Sequence, residues 1–335
     1  IVLTNLDHYY KLVLLNFMIT FGYVFAGLSF PRFARHCGHA ATKGRIMPQA
    51  VTADDISRVG IAGGGLIGMS WAALYLGQGL AVSVLDPNPA TENRLRDFVA
   101  EAWPHLSALG LTTAETPTAA TVGADPEILR GVQFVQENGP DRIEVKRALV
   151  AELEAVIEPD TLIASSTSSL RATDIQARAR HPARILGAHP MNPPHLVPMV
   201  ELVAGDATEP GAVDLAEAFY RRMHRVPVRV RKEVPGHLAN RLTSALYREA
   251  VHLVAEGIAD VADIDTAIAH GPGMRWALMG PHLIYHLGGG AGGYRGYLDH
   301  LGPTQETRWA ELGAPELTAD VKDALVAGLD RELAT

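Results

Sequence analysis

A single cysteine, Cys37, is present among the 335 residues. One thiol can neither close an intrachain disulfide nor supply the paired thiolates of a cysteine-based metal site, and it fits a protein of the reducing cytoplasm. The 14 histidines include no HExxH pair, which is the helical zinc motif of metalloproteases. The sequence therefore predicts a cytoplasmic protein without a bound metal.

Two further absences narrow the possible functions. No cluster of Lys and Arg of the kind that neutralises a phosphate backbone is present, and 29 basic residues face 37 acidic ones, a net charge of −8. A nucleic-acid partner is therefore not expected. The sequence also lacks GxSxG, the strand-to-helix turn that carries the nucleophile in many serine hydrolases.

The first 55 residues differ from the rest of the chain. Leu12–Phe30 is a nearly uncharged apolar run of about the length that spans a bilayer, and basic residues follow it. It is compatible with a membrane anchor, with a secretory signal, or with an extension that the fold does not need. Because the sequence starts at Ile1 rather than at Met, we expect the third, with a membrane contact only if residues 12–30 are an anchor.

From Arg58 the sequence indicates a strand, a glycine turn and a helix, with Gly63, Gly65 and Gly68 forming GxGxxG in the turn. The glycines permit a tight turn and close approach of a pyrophosphate, whose charge the helix N-terminus favours. The next predicted strand ends at Asp86, eighteen residues after the last glycine. Its carboxylate can accept the ribose hydroxyls of NAD and would repel the extra phosphate of NADP. The pattern predicts NAD binding.

Strand and helix patterns alternate up to about residue 233, which predicts a doubly wound sheet of the Rossmann type over residues 56–233. Residues 234–335 carry helical patterns only, so the fold class is α/β with an all-helical C-terminal domain. We expect that domain to bind substrate and to form a dimer interface. One predicted strand, Thr161–Ser165, runs directly into Ser166–Ser169. Ligands bind at the carboxyl ends of such strands, so these hydroxyls are placed to contact nicotinamide or substrate, with helix capping as the alternative.

The stretch Arg184–Leu202 contains two short strand patterns, the first broken at His189–Pro190, around a proline-rich loop. Because the loop returns the chain, His189 and Glu201, twelve residues apart, are expected to face each other. A carboxylate fixes the tautomer of an imidazole and raises its basicity, which makes a general base. A core histidine beside a capped strand end is the alternative.

These motifs resemble the 3-hydroxyacyl-CoA dehydrogenase family. The resembling segments are SSTSSL at 165–170, GAHPMNPPHLVPMVELV at 187–203 and EVPGHLANRL at 233–242, within a likeness that covers residues 59–328. The resemblance implies an NAD-dependent homodimer. It also implies an active site of Ser168, His189, Glu201 and Asn240, with Asn192 close to the nicotinamide.

Within that family, four stretches resemble the L-carnitine 3-dehydrogenases: residues 134–146, 231–236, 246–254 and 271–281. L-Gulonate 3-dehydrogenases share part of the last stretch. We expect Glu137 and Lys146, both within the first stretch, to bind the cofactor. In the last, Arg275 is expected to pair with a substrate carboxylate, and Trp276 to cover a trimethylammonium group, although core packing is the alternative for Trp276.

The predicted function is NAD-dependent oxidation of the 3-hydroxyl of a small 3-hydroxy acid, with L-carnitine as the first candidate. Family members that take CoA thioesters tend to carry a lysine-rich segment after the second strand. This chain has Arg94 and Arg96 there and no lysine. A 3-hydroxyacyl-CoA and L-gulonate stay open as substrates, as does a structural NAD-binding role like that of a lens crystallin, against which the complete set of four site residues argues.

Overall fold

The computed structural model describes residues 52–334. The apolar run Leu12–Phe30 lies outside the described residues. Within residues 52–334, no helix is both long enough and apolar enough to cross a bilayer.

The described part of the chain contains one sheet of eight strands in the order β3-β2-β1-β4-β5-β6-β7-β8. The strands are β1 (Arg58–Ala62), β2 (Ala81–Leu85), β3 (Thr121–Gly123), β4 (Phe134–Glu137), β5 (Leu162–Ser165), β6 (Ile185–Pro190), β7 (Met199–Ala204) and β8 (Val226–Val230). The first six run parallel to one another, while β7 is antiparallel to β6 and β8 is parallel to β7. The predicted doubly wound sheet is confirmed, and its strand order reverses between β1 and β4, where such sheets bind dinucleotides.

Helices cover both faces of the sheet and form the whole of the regular structure described after Val230. They are α1 (Leu66–Gly77), α2 (Thr91–Ala108), α3 (Ile143–Leu153), α4 (Ala172–Gln176), α5 (Pro210–Arg222), α6 (Ala239–Ala255), α7 (Val261–His270), α8 (Pro272–Trp276), α9 (Pro281–Gly288), α10 (Gly293–Glu311) and α11 (Ala319–Leu333). One apolar core lies between the sheet and α1, α2 and α5, and a second lies between the sheet and α3 and α4. The predicted helical C-terminal region is confirmed.

Aromatic side chains fill the first core. Trp71, Tyr75 and Tyr220 are fully buried, and each such side chain contributes roughly 1.5–3 kcal/mol by leaving water. Both tyrosine hydroxyls donate to Oε1 of Gln136 on β4, at 2.9 Å and 2.6 Å. The Gln136 amide in turn donates to Ser166 Oγ at 2.9 Å. These buried polar groups are therefore satisfied, and this series of hydrogen bonds connects the core to the loop after β5.

The first strand of the His189 stretch is longer than the sequence predicts. A break was expected at His189–Pro190, but β6 continues through Pro190, and β7 reaches Ala204. Proline is tolerated there because β5 pairs with β6 only as far as Gly187, so Pro190 needs no amide proton on that side. The extension brings His189 directly opposite Glu201 in the antiparallel ladder.

The C-terminal helices bury few of their apolar side chains within one chain. Val251 and Tyr297 are the buried hydrophobic residues described after residue 233. Exposed large hydrophobic residues are many, and they include Leu242, Tyr247, Trp276, Leu283, Tyr285, Trp309, Val326 and Leu333. Large contiguous apolar patches are unusual on the surfaces of monomeric proteins.

Candidate active site

Several of the residues singled out in the sequence lie at the carboxyl ends of the parallel strands. The glycine turn follows β1, Asp86 follows β2, and Ser168 follows β5. His189 lies near the end of β6. This is the edge at which open α/β sheets bind their ligands, and the strand-end positions explain why residues far apart in sequence meet there.

A different structural requirement explains each glycine of the turn. Gly63 has φ +100°, a backbone conformation that side chains disfavour. A Cβ at Gly68 would lie 1.9 Å from the carbonyl oxygen of Gly63, so any side chain there would push helix and strand apart. A Cβ at Gly65 would meet nothing within 4 Å. The open space at Gly65, at the N-terminus of α1, fits a phosphate group seated on the helix amides.

A cleft of about 860 Å³ runs from this turn across the ends of β2 and β4. Gly63, Gly65 and Asp86 line it, and its size suits a dinucleotide fragment. The Asp86 carboxylate accepts hydrogen bonds from Gly64 N at 2.6 Å, Asn88 N at 2.9 Å and Thr91 Oγ1 at 3.0 Å. These contacts fix the carboxylate at the wall of the cleft, where the ribose of NAD is expected.

A second cleft of about 400 Å³ adjoins the first and contains the proposed chemistry. It is lined by Ser168, His189, Asn192 and Asn240 among others. Asn138 and Gly139 line both clefts, so a bound dinucleotide can extend from one into the other. We call the first the dinucleotide cleft and the second the reaction cleft.

Asn138 is a site residue that the sequence reasoning missed. Its Oδ1 accepts from Ser166 Oγ at 2.7 Å, and its amide donates to the Gln136 carbonyl at 2.9 Å. These bonds hold it at the junction of the two clefts. Its position immediately after β4 was the available signal, because that strand ends at the same edge of the sheet.

The pair formed by His189 and Glu201 is the central contact of the reaction cleft. The two residues are direct partners in the β6–β7 ladder, and Nδ1 of His189 lies 2.7 Å from Oε2 of Glu201. They face each other as the loop pattern predicts. A carboxylate on Nδ1 selects the tautomer with its proton there. No hydrogen bond from residues 52–334 occupies Nε2, so its lone pair is free for a ligand in the cleft.

The other oxygen of Glu201 contacts the first helix of the C-terminal region. Oε1 accepts from Leu238 N at 2.7 Å and from Ala239 N at 2.9 Å, at the start of α6. Burial alone would raise the pKa of Glu201, but hydrogen bonds from His189 and from the two amides outweigh it and lower the pKa. Glu201 is therefore a carboxylate at neutral pH.

A second histidine, His237, packs against the pair and was also missed. Its ring centroid lies 5.4 Å from that of His189, it is 2% exposed, and its Nδ1 has no hydrogen-bond partner. Its φ of +49° is unusual for a residue with a side chain. Burial, followed by the charge of His189, lowers the pKa of His237. His237 therefore stays neutral beside the pair. Its strained backbone and its unpaired Nδ1 both cost free energy, and features of this kind cluster at functional sites.

Asp141 gathers the hydroxyl groups that follow β5. It accepts from Thr167 Oγ1 at 2.5 Å, from Ser169 Oγ at 3.0 Å, and from both the amide and Oγ of Ser168 at 3.1 Å and 3.0 Å. The Ser168 hydroxyl must turn away from Asp141 to donate to a substrate oxygen. The sequence reasoning did not single out Asp141, because it lies in the loop before α3 and no periodic pattern marks it.

Glu137 and Lys146 form a buried ion pair behind the wall shared by the two clefts. Lys146 Nζ lies 3.0 Å and 2.9 Å from the two Glu137 oxygens and 3.0 Å from the Gly139 carbonyl oxygen. Ser165 Oγ and Gly139 N also donate to Glu137. Glu137 has no exposed surface and lines neither cleft, whereas Lys146 lines the reaction cleft. The predicted direct contact with cofactor therefore fits Lys146 better than Glu137, which shapes the Gly139 turn.

His195 connects the proline-rich loop to α1. Ser70 Oγ lies 2.7 Å from Nδ1 of His195 and accepts from the His195 amide at 3.0 Å. Burial, and then the charges of His105 and Arg225, lower the pKa of His195 to about 4. The neutral imidazole is thus part of the folded loop, which also carries Asn192.

The two residues expected to hold a substrate lie elsewhere. Arg275 and Trp276 are on α8, and neither lines the reaction cleft of one chain. Trp276 is 44% exposed, so simple core packing within the chain is wrong for it. A groove lined by Arg241 and Arg248 shares Asn240 with the reaction cleft, and neither arginine forms an ion pair within residues 52–334.

Comparison with known proteins shows which chains share this arrangement. The family model "3-hydroxyacyl-CoA dehydrogenase, NAD binding domain" matches residues 58–234, and that of the C-terminal domain matches residues 236–319. An L-carnitine dehydrogenase of Streptomyces griseus subsp. griseus is 46% identical over 292 residues, 87% of each chain. One of Pseudomonas putida is 41% identical over 83% of this chain and 87% of its own.

Among solved structures, an NAD+-dependent dismutase described as FHMPC 5-dehydrogenase superposes with a TM-score of 0.68 at 32% identity. The match covers 83% of this chain and 96% of that chain. The shared region includes both the sheet and the C-terminal helices.

The pKa of His195 predicts how stability depends on pH. As the pH falls from 6.5 to about 4, the unfolded chain takes up a proton at this histidine and the folded chain does not. The free energy of unfolding should therefore fall over that window, by up to roughly 3 kcal/mol, and be fully retained above it. In His195→Gln the fall should be smaller, because the Gln side chain does not titrate.

Urea unfolding of both proteins at pH 7.0 and pH 4.5 measures the difference. His300→Gln, at an exposed position on α10, is the matched control and should behave as wild type. Equal pH dependence in wild type and His195→Gln would contradict the assignment.

Proposed function

Because the chain belongs to the 3-hydroxyacyl-CoA dehydrogenase family and is an NAD-dependent oxidoreductase, we propose that it oxidises the 3-hydroxyl group of L-carnitine to give 3-dehydrocarnitine. The observation that carries the proposal is the His189–Glu201 pair, whose free Nε2 opens into a cleft continuous with the dinucleotide cleft. The choice of substrate rests on the carnitine dehydrogenases that share 41–46% of the sequence.

The charges around the reaction cleft support a small substrate rather than a CoA thioester. Lys146 is the basic residue in its lining, and Glu137 already neutralises it. Arg94 and Arg96, in the segment after β2, are exposed, and Arg96 lies 3.8 Å from Asp97. Within this lining a phosphate group of CoA would find no unpaired cation, so its desolvation would be poorly compensated there, and the unpaired Arg241 and Arg248 lie in the adjoining groove.

His189 acts as the general base in this mechanism. Its Nε2 accepts the proton of the substrate hydroxyl, and Glu201 stabilises the resulting imidazolium through Nδ1. When bound, NAD supplies the acceptor for the hydride that leaves the carbinol carbon. Glu201 cannot rotate away, because the amides of Leu238 and Ala239 hold its second oxygen.

Ser168 and Asn240 contact the substrate oxygen in the proposed complex. The hydroxyl of Ser168 turns from Asp141 to donate to that oxygen, while the Asn240 amide donates from the start of α6. Donors aimed at an oxygen on which charge develops stabilise the transition state in a cleft that excludes water. Asn192 and Lys146, both in the lining, are assigned to the nicotinamide end of the cofactor, and Asp86 to the ribose.

The proposal divides the work between two domains. Residues 56–233 bind NAD, and residues 234–335 contribute Asn240 and the dimer interface. Arg275 and Trp276 stay predicted contacts of the carboxylate and the trimethylammonium group. Arg241 and Arg248 offer the carboxylate a second cationic partner next to Asn240. The cytoplasm stays the expected compartment, on the cysteine content.

The first test compares substrates on the wild-type protein. We expect NADH formation at 340 nm with L-carnitine, and a kcat/KM at least tenfold above those for L-gulonate and L-3-hydroxybutyryl-CoA. The physical reason is that carnitine carries a cation, which the other two substrates lack, and the carboxylate of Asp141 lies in the lining of the reaction cleft. A tenfold preference for the thioester would contradict the proposal and indicate a 3-hydroxyacyl-CoA dehydrogenase. A preference for L-gulonate would identify L-gulonate as the substrate instead of L-carnitine.

A second prediction concerns the base. Glu201→Gln keeps the size of the side chain but removes the charge that stabilises the His189 imidazolium. The kcat should fall by roughly 10²-fold or more, within the range that general-base assistance supplies, while KM changes little. Glu158→Gln, at an exposed position before β5, is the control. A kcat within threefold of wild type in Glu201→Gln would remove Glu201 from the mechanism.

A third prediction concerns the homodimer, which we propose because the C-terminal helices expose apolar side chains that one chain does not cover. Sedimentation equilibrium should give twice the mass of 35.9 kDa. Leu242→Glu, at a position 68% exposed on α6, should shift the protein toward monomer, since it would bury a charge at the interface. The control is Glu311→Gln, exposed at the end of α10. A monomeric wild type would contradict the proposal.

A further inference from the structure

The lining of the reaction cleft contains two ionised side chains, Asp141 and Lys146. Lys146 is 1% exposed and its ammonium group contacts both oxygens of Glu137 at 2.9–3.0 Å. Asp141 keeps 30% of its side chain exposed, and its Oδ1 lies 3.9 Å from the Lys146 nitrogen. Because Glu137 and Asp141 together face one ammonium, the group carries a net negative charge. Asp141 is its exposed part.

The bonds of Asp141 hold the carboxylate ionised and in place. Hydroxyl groups of Thr167, Ser168 and Ser169 and the Ser168 amide donate to it. Burial would raise the pKa of Asp141, but these hydrogen bonds and the charge of Lys146 outweigh burial and lower the pKa. With four donors already bound, the carboxylate has little need of a further hydrogen bond. The carboxylate still carries its negative charge, which attracts a cation even if that cation donates no hydrogen bond.

We propose that Asp141 is the counter-ion of the substrate's quaternary ammonium group and selects carnitine over 3-hydroxy acids that lack a cation. The inference rests on the proposed function. Asp141 Oδ2 lies 3.0 Å from Ser168 Oγ, so a substrate oxygen held by Ser168 is one hydrogen bond further on. In carnitine the ammonium nitrogen is bonded to the carbon next to the carbinol carbon, which brings it within reach of the carboxylate.

The charge balance also explains the orientation of a zwitterion in the cleft. Asp141 lines the reaction cleft, Arg241 and Arg248 line the adjoining groove, and Asn240 lines both. A substrate with a cation on one side of its carbinol carbon and an anion on the other is attracted at both ends. Reversing it would place like charges together at both ends, which costs free energy.

The test uses L-carnitine and its carbon isostere, the matching enantiomer of 3-hydroxy-5,5-dimethylhexanoate, in which a quaternary carbon replaces the ammonium nitrogen. Shape, carboxylate and hydroxyl are the same, so the ratio of the two kcat/KM values reports on the cation alone. Wild type should prefer carnitine by roughly tenfold to a hundredfold, the size of a partly screened charge pair. In Asp141→Asn that ratio should fall at least tenfold, and Asp160→Asn, exposed before β5, should keep it.

Each other outcome overturns the proposal. Equal losses on both substrates in Asp141→Asn would show that Asp141 only positions Ser168. A selective loss of affinity for NAD+ over NADH, measured by titration, would mean that the carboxylate faces the charged nicotinamide ring instead. If Asp141→Asn does not fold, the wild-type ratio decides alone, and a ratio near one refutes the role.

Failure of the proposed function is distinguishable from failure of this inference. A wild type that does not oxidise carnitine refutes the proposed function. A wild type that prefers carnitine, with an unchanged ratio in Asp141→Asn, refutes only the role of Asp141.

Discussion

The carboxylate of Glu201 holds together three parts of the protein that are far apart in sequence. It lies on β7, contacts the imidazole on β6 through one oxygen, and accepts two amide protons from the start of α6 through the other. The antiparallel pairing of β7 with β6 makes this possible, because it sets residues 189 and 201 opposite each other. The proposed general base and the contact with the first C-terminal helix therefore depend on the same side chain.

The sequence predicts those parts of the fold and site that have a local cause. The glycine turn at Gly63–Gly68 is visible because backbone geometry and close packing require glycine at Gly63 and Gly68. Asp86 is visible because it ends the next strand, and the His189–Glu201 pair because a proline-rich loop between two strand patterns returns the chain. Each of these inferences uses residues within about twenty-five positions of one another.

The other residues of the site are brought together by contacts between distant parts of the sequence. Asp141 and Ser168 are 27 positions apart and meet only because β4 and β5 are neighbours in the sheet. His237 reaches His189 across the link between sheet and helices, in a backbone conformation that no pattern predicts. Glu137 was expected to bind the cofactor, yet it is fully buried and lines neither cleft. Tertiary partners decide each case, and a single sequence does not display them.

In the proposed function, the distribution of charge rather than the shape of the cleft separates the candidate substrates. Lys146, the one buried lysine among residues 52–334, pairs with Glu137, and this pairing leaves Asp141 with an excess negative charge. In the reaction cleft a phosphate group would meet the negative charge of Asp141, whereas a cation would meet a carboxylate that its own hydrogen bonds already fix in place. The cost of ordering that carboxylate is met in folding, so binding a cation gains attraction without reorganising the loop. The same hydroxyl bonds that fix Asp141 also fix Ser168, so recognition of the cation and the position of the reacting oxygen are set by one loop.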